Sequence, residues 1–146
     1  MFAFCSSLPS LDLSSFSTSN VTDMSSIFYN CSGLTMINLS SFTTIGVTNM
    51  ASMFDGCSSL PSLDLSSFST SNVTDMSSMF YNCSGLTSLD LRNFNFSNIT
   101  GYSNTISGTS ANISITVKDC TQYNLFKNKF GNKSGLHTIN NDVCTA

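Results

Sequence analysis

Glutamate and tryptophan are absent from this 146-residue chain, histidine occurs once, proline twice, and only 13 residues are charged. Each scarcity removes a class of function. Without glutamate no Asp–Glu pair exists for acid–base work, and spacing assigns no partner to His137, so the sequence points to a noncatalytic protein with His137 as a surface or cap residue. No glycine-rich loop precedes a helical pattern as a phosphate cradle requires. One arginine and four lysines form no basic stripe, which argues against nucleic acid as a partner. No apolar run approaches the roughly 20 residues of a membrane-spanning helix, and the N-terminus lacks the basic start and apolar core of a secretion signal.

What is abundant is hydroxyl: serine and threonine supply 46 residues, beside 40% apolar residues that offset the ordering entropy and exclude a disordered chain. Charge is uneven. Residues 1–101 hold six Asp against Arg92, and residues 102–146 hold four Lys against two Asp.

Self-alignment gives a period of 26 residues. Phe2, Phe28, Phe54 and Phe80 form one column; Cys5, Cys31, Cys57 and Cys83 another; Leu13, Leu39, Leu65 and Leu91 a third; Phe16, Phe42, Phe68 and Phe94 a fourth. Residues 5–35 and 57–87 differ only at Ile27 against Met79, exposed and buried positions alike, which duplication of a two-unit block explains.

Within a unit the apolar period changes. Met24, Ile27, Phe28 and Cys31 follow i, i+3, i+4, i+7, which predicts a short helix capped by Thr22 or Asp23, a role repeated by Asn49 and Asp75. Leu11 and Leu13 and their equivalents alternate with polar residues, which predicts a strand with one wet face, followed by a turn that faces Phe16 inward. Such a unit cannot bury its own apolar face, so neighbours must stack. The expected fold is an α/β solenoid: a right-handed pile of short parallel strands and short helices over residues 1–101, whose first unit is truncated, and a C-terminal cap over 102–146. In the cap, Ile113–Val117 reads as a strand, the segment after Asp119 as a helix with Tyr123, Phe126 and Phe130 on one stripe, and residues 135–140 as a last strand. No cap covers the N-terminal end, which is expected to continue into further repeats or to rest on a partner.

The strand face carries the candidate binding residues: Ser10, Asp12 and Ser14; Met36, Asn38 and Ser40; Ser62, Asp64 and Ser66; Ser88, Asp90 and Arg92. Asp64 and Asp90 fall on adjacent units, where like charges about 5 Å apart call for Arg92 or a cation. A solvated polar row is the alternative reading. No cofactor or metal is expected, since the oxygen ligands of calcium are not gathered in one loop and the repeat cysteines lack zinc spacing. Those cysteines are expected to be reduced and buried, with bridges between neighbours as the alternative, whereas Cys120 and Cys144 are candidates for a disulfide fastening the C-terminus. The rows Thr18/Thr44/Thr70 and Thr22/Thr48/Thr74/Thr100 fit turn hydrogen bonds, and less readily an ice-binding face.

The stretch from Met79 to Leu91, with its Phe, Cys and L-x-x-L-x-L spacing, resembles the BspA-type leucine-rich repeat of bacterial and protist surface proteins, and residues 1 to about 101 resemble the allied 26-residue surface-protein repeat. The resemblance implies an exposed adhesin or interaction protein, extracellular or on the cell surface, that binds protein or glycan on another cell or matrix. The alternative is a structural spacer or fibre component that self-associates end to end through its uncapped N-terminal repeat.

Overall fold

The computed structural model describes residues 1–131, 133–138, 140, 141 and 144. Its regular elements are short: β1 (Ser10–Asp12), β2 (Met36–Asn38), β3 (Ser88–Asp90), β4 (Ser114–Val117), α1 (Cys120–Phe130) and β5 (Leu136–Thr138). β1 pairs with β2 in parallel, and β3, β4 and β5 form a second parallel sheet in that order. Ser10 faces Met36 and Ser88 faces Ser114, so each strand residue meets its equivalent one period away. Ile139, in the last expected strand, lies outside the described residues.

The helix expected in each unit is absent: the segment from Met24 to Cys31 and its equivalents are runs of turns. The N–H groups that would bond within a helix bond between units instead. Met24, Ser26, Phe28 and Asn30 donate to the carbonyls of Asn49, Ala51, Met53 and Asp55 at 2.9, 2.9, 3.0 and 2.6 Å, and the next units repeat the arrangement. To aim alternate peptides the same way the backbone enters the left-handed region at two columns, Ser26/Ser52/Ser78/Asn104 and Asn30/Gly56/Asn82/Gly108, with φ between 53° and 77°. Geometry explains the correction. A helix is about 10 Å across and strand neighbours stand about 4.8 Å apart, so one helix per unit would splay the pile on that side. Flat turns keep the same pitch as the strands. Asp23 accordingly caps no helix; its Oδ1 accepts from the N–H of Ser25 at 2.8 Å, as Asn49 does from Ala51 and Asp75 from Ser77.

Inside, the columns meet as like on like. Phe28 lies 5.4 Å from Phe54 with rings at 17°, Phe54 lies 5.9 Å from Phe80 at 1°, and all three are buried. The repeat cysteines are free thiols, and Cys31, Cys57 and Cys83 donate to the carbonyls of Phe2, Phe28 and Phe54. Thr18, Thr44 and Thr70 are buried, each hydroxyl both donating to a carbonyl and accepting an N–H of the following unit, so this row presents no hydroxyl to a ligand. Phe16 departs from its column. It is 40% exposed while Phe42, Phe68 and Phe94 are buried, because no unit covers it.

On the threonine side the pile ends at Phe96, while on the strand side β4 carries it one unit further. Phe96 sets its ring edge-on to Phe126 and Phe130 of α1, each centroid 5.6 Å away, and its N–H donates to Gln122 Oε1. Asp119 caps α1 by accepting from the N–H of Gln122 at 2.9 Å. A disulfide joins Cys120 to Cys144, with Cα atoms 5.2 Å apart.

Two outcomes follow from these columns. Phe54→Ala opens the aromatic row at its centre and should cost about 3–5 kcal/mol in urea unfolding. Burial raises the Cys57 thiol pKa and pushes that of Cys83 up to about 12, so neither should alkylate at neutral pH until denaturant is added, whereas half-buried Cys5 should react in the native state.

Candidate functional site: the strand face at its break

All twelve strand-face candidates are exposed. Asp12, Asn38, Asp64 and Asp90 form one row, and each holds a turn together. Its Oδ1 accepts the N–H two residues on, from Ser14, Ser40, Ser66 and Arg92 at 3.0, 3.1, 3.0 and 3.1 Å. This turn ends the strand and aims the second side-chain polar atom outward. Met36, 65% exposed, interrupts the polar face with an apolar spot.

The third unit departs from expectation. Ser62–Asp64 forms no strand, although Leu63 and Leu65 are buried. Proline accounts for one missing bond but not for the missing strand, since Pro9 holds the same position before β1, which forms and pairs. At this level Thr35 N–H donates to the Pro9 carbonyl at 2.8 Å and Thr87 to Pro61 at 3.0 Å. Pro61 has no N–H to give Thr35, so the ladder loses a bond between the second and third units. Further along, Leu13 donates to Asn38 and Leu91 to Thr116, while Leu39 and Leu65 make no equivalent bond among the described residues.

Beside this break lies a cleft of about 320 Å³, rimmed by Asp64, Ser66, Asp90, Arg92 and Asn93 above buried Leu63. Arg92 grips Asp90 with two bonds, Nε to Oδ1 at 3.0 Å and Nη2 to Oδ2 at 2.7 Å. That grip holds the Asp90 carboxyl below its usual range despite partial desolvation and the neighbouring Asp64 charge. Asp64 is also held low, by its bonds to Ser66, yet among the described residues it has no ion pair. The cleft thus contains one neutralised carboxylate, one open carboxylate and a guanidinium with donors to spare. A second depression of about 420 Å³ continues past Arg92 and Asn93 toward Asn95, Lys118 and Gln122.

Of the twelve candidates, Asp64, Ser66, Asp90 and Arg92 line the cleft, and Ser10, Asp12, Ser14, Met36, Asn38, Ser40, Ser62 and Ser88 lie on the same face outside its lining. Asn93, not among those candidates, also lines the cleft. Asn93 was legible as a departure from the repeat: the fourth unit has Arg92, Asn93 and Asn95 where the third has Ser66, Ser67 and Ser69. His137 lies in the cap. β5 sets it opposite Thr116, which faces Asp90, and its Nε2 lies 3.1 Å from Ser114 Oγ while Nδ1 lies 3.1 Å from the Thr138 carbonyl. Among the described residues no group of three metal-ligating side chains converges.

These features define a repeat protein whose units pair in parallel and expose a polar face with a break in it. A family model described as "Mycoplasma protein of unknown function, DUF285" matches residues 1–118, and the chain belongs to that family. No curated protein and no solved structure matches it.

The depressed carboxyls set an acid limit. Asp12, Asp64 and Asp90 have native pKa values below the unfolded value near 3.9. Their contribution to stability is therefore complete above about pH 4 and is lost as pH falls through the native values. Thermal unfolding should show a melting temperature that drops below about pH 4, and Asp64→Asn, which keeps the turn bond as Asn38 does, should flatten part of that drop.

Proposed function

We propose that this chain is a noncatalytic recognition module that binds protein or glycan through its strand face, centred on the Asp64–Asp90–Arg92 cleft. In this reading it is a BspA-like leucine-rich-repeat solenoid displayed outside the cell as an adhesin. The carrying observation is the cleft: an unpaired carboxylate beside a bidentate Asp–Arg pair, with Asn93 and Ser66 as neutral hydrogen-bonding groups. Planar side chains carrying donors and acceptors over an apolar floor suit sugar hydroxyls and peptide amides alike. The parallel in-register pairing, the 26-residue period and the resemblance to surface-protein repeats support the reading further. The competing role is a structural spacer or self-assembling fibre component, to which the opposite charge of residues 1–101 and 102–146 is suited.

Glycan and protein arrays probed with this chain should yield a saturable ligand. Asp64→Lys with Asp90→Lys should reduce its affinity at least about tenfold while circular dichroism and melting stay close to wild type. Arrays without any ligand, or a double variant that binds equally well, would remove the strand face from consideration.

A further inference from the structure

The cleft beside Asp64 and the depression beyond it share Arg92 and Asn93, so they form one groove from the third unit to the start of α1. Its two ends differ in kind. Acceptors gather at the Asp64 end: the Asp64 carboxylate accepts only from Ser66, within its own turn, and Asn93 spends its NH2 on the Ser66 carbonyl and keeps its oxygen free. Donors gather at the α1 end. Among the described residues Arg92 commits Nε and Nη2 to Asp90 and keeps Nη1 free, while Asn95 and Gln122 use their oxygens to accept from Ser97 and Phe96 and keep their NH2 groups free. Exposed Lys118 has no hydrogen-bond or ion-pair partner among the described residues. Asp119, the carboxylate at that end, is engaged as the cap of α1. Beneath the rim Leu63, Phe68 and Phe94 are 6%, 2% and 3% exposed, too little surface to anchor an apolar side chain.

We infer that the groove takes a glycan carrying a sugar carboxylate, a ligand class that rests on the strand face being the binding surface. The carboxylate sits between Arg92 and Lys118, where Asn95 and Gln122 donate as well, and hydroxyls of the same or the adjoining ring reach Asp64, Asn93 and Ser66. Opposite polarity at the two ends asks for a ligand that accepts at one end and donates at the other. A sugar acid does both, because its carboxylate only accepts while its hydroxyls donate to carboxylate and amide oxygens. A peptide is the poorer occupant. Peptide recognition turns on an apolar or aromatic side chain seated in a pocket, and the sealed floor offers none. Charge also limits how acidic the ligand is. The carboxylates of Asp64, Asp90 and Asp119 line the groove against Arg92 and Lys118, so one sugar acid is accommodated at the α1 end and a further negative group is repelled at the Asp64 end. The two depressions, about 320 and 420 Å³, each lie in the range of small-ligand sites.

The intact protein is titrated by NMR at low salt with sialyllactose and with a glucuronic-acid disaccharide, two sources of the sugar carboxylate, and with lactose as the neutral control. At least one acidic sugar is expected to saturate and to shift the resonances of Ser66, Asn93, Asn95 and Gln122, with lactose at least about tenfold weaker. Lys118→Glu should weaken binding of the acidic sugar about tenfold or more, whereas Lys127→Glu, the same charge change outside the groove, should leave it as it is. No saturation by either acidic sugar, equal binding of lactose, or equal effects of the two lysine substitutions would overturn the inference. If neither acidic sugar binds while a peptide or neutral glycan found on the arrays still loses affinity on Asp64→Lys with Asp90→Lys, the strand-face reading stands and the acidic-sugar assignment falls.

Discussion

The structure depends on a spacing of about 5 Å between equivalent backbone positions, imposed by main-chain bonding from one 26-residue unit to the next. At that distance every side chain lies against its own equivalent, so a residue type survives in a column only if it tolerates itself. Phenylalanine does, by stacking. Cysteine does, because a thiol small enough for the interior donates to a carbonyl of the preceding unit. Aspartate does not, and both exposed acidic columns show how the repulsion is managed. Asn38 follows Asp12 on the strand face, and Asn49 separates Asp23 from Asp75 in the turn column, donating to Asp23 at 3.4 Å. Asparagine keeps the turn bond and removes the charge.

Asp64 and Asp90 are the exception, two carboxylates on consecutive units with no asparagine between them. The fourth unit answers with Arg92, which neutralises Asp90 and leaves Asp64 open. Pro61 removes a ladder bond on the same side of the third unit. The cleft therefore lies beside a lost ladder bond and a missing charge break. Functional sites are where such inconsistencies are expected, since a site needs groups that the fold has not already used.

The period, the columns and the parallel pairing were legible because self-alignment reads them directly, and the strand face followed from alternation. The cap helix was legible for a similar reason: Asp119 and the stripe of Tyr123, Phe126 and Phe130 are local signals. The turns posing as helices were not. Met24, Ile27, Phe28 and Cys31 match a helical stripe residue for residue, and what overrules the pattern is the pitch of the neighbouring strands, a property of the pile that no single unit contains. The loss of the third strand was not legible, since Pro61 repeats Pro9, which stands directly before a strand that forms and pairs. The end of the pile on the threonine side was readable, from Phe96 in a column otherwise of threonine.

Replacing helices by turns has a consequence for how such a chain can be extended. A helix satisfies its own backbone and presents neutral flanks, so helical units can meet in either direction. Turns whose peptides point along the pile leave that side of each end with one kind of hydrogen-bonding group, and an added unit must match it in direction as well as in shape. Closing the far end then requires something other than another turn. Here the chain changes element: α1 lays Phe126 and Phe130 on Phe96, Lys129 donates to the Ile99 carbonyl, and the disulfide anchors the start of the helix to Cys144. The basic residues of that cap meet carbonyl, hydroxyl and ring: Lys129 reaches the Ile99 carbonyl and lies over the Tyr102 ring, and Lys133 donates to Thr109.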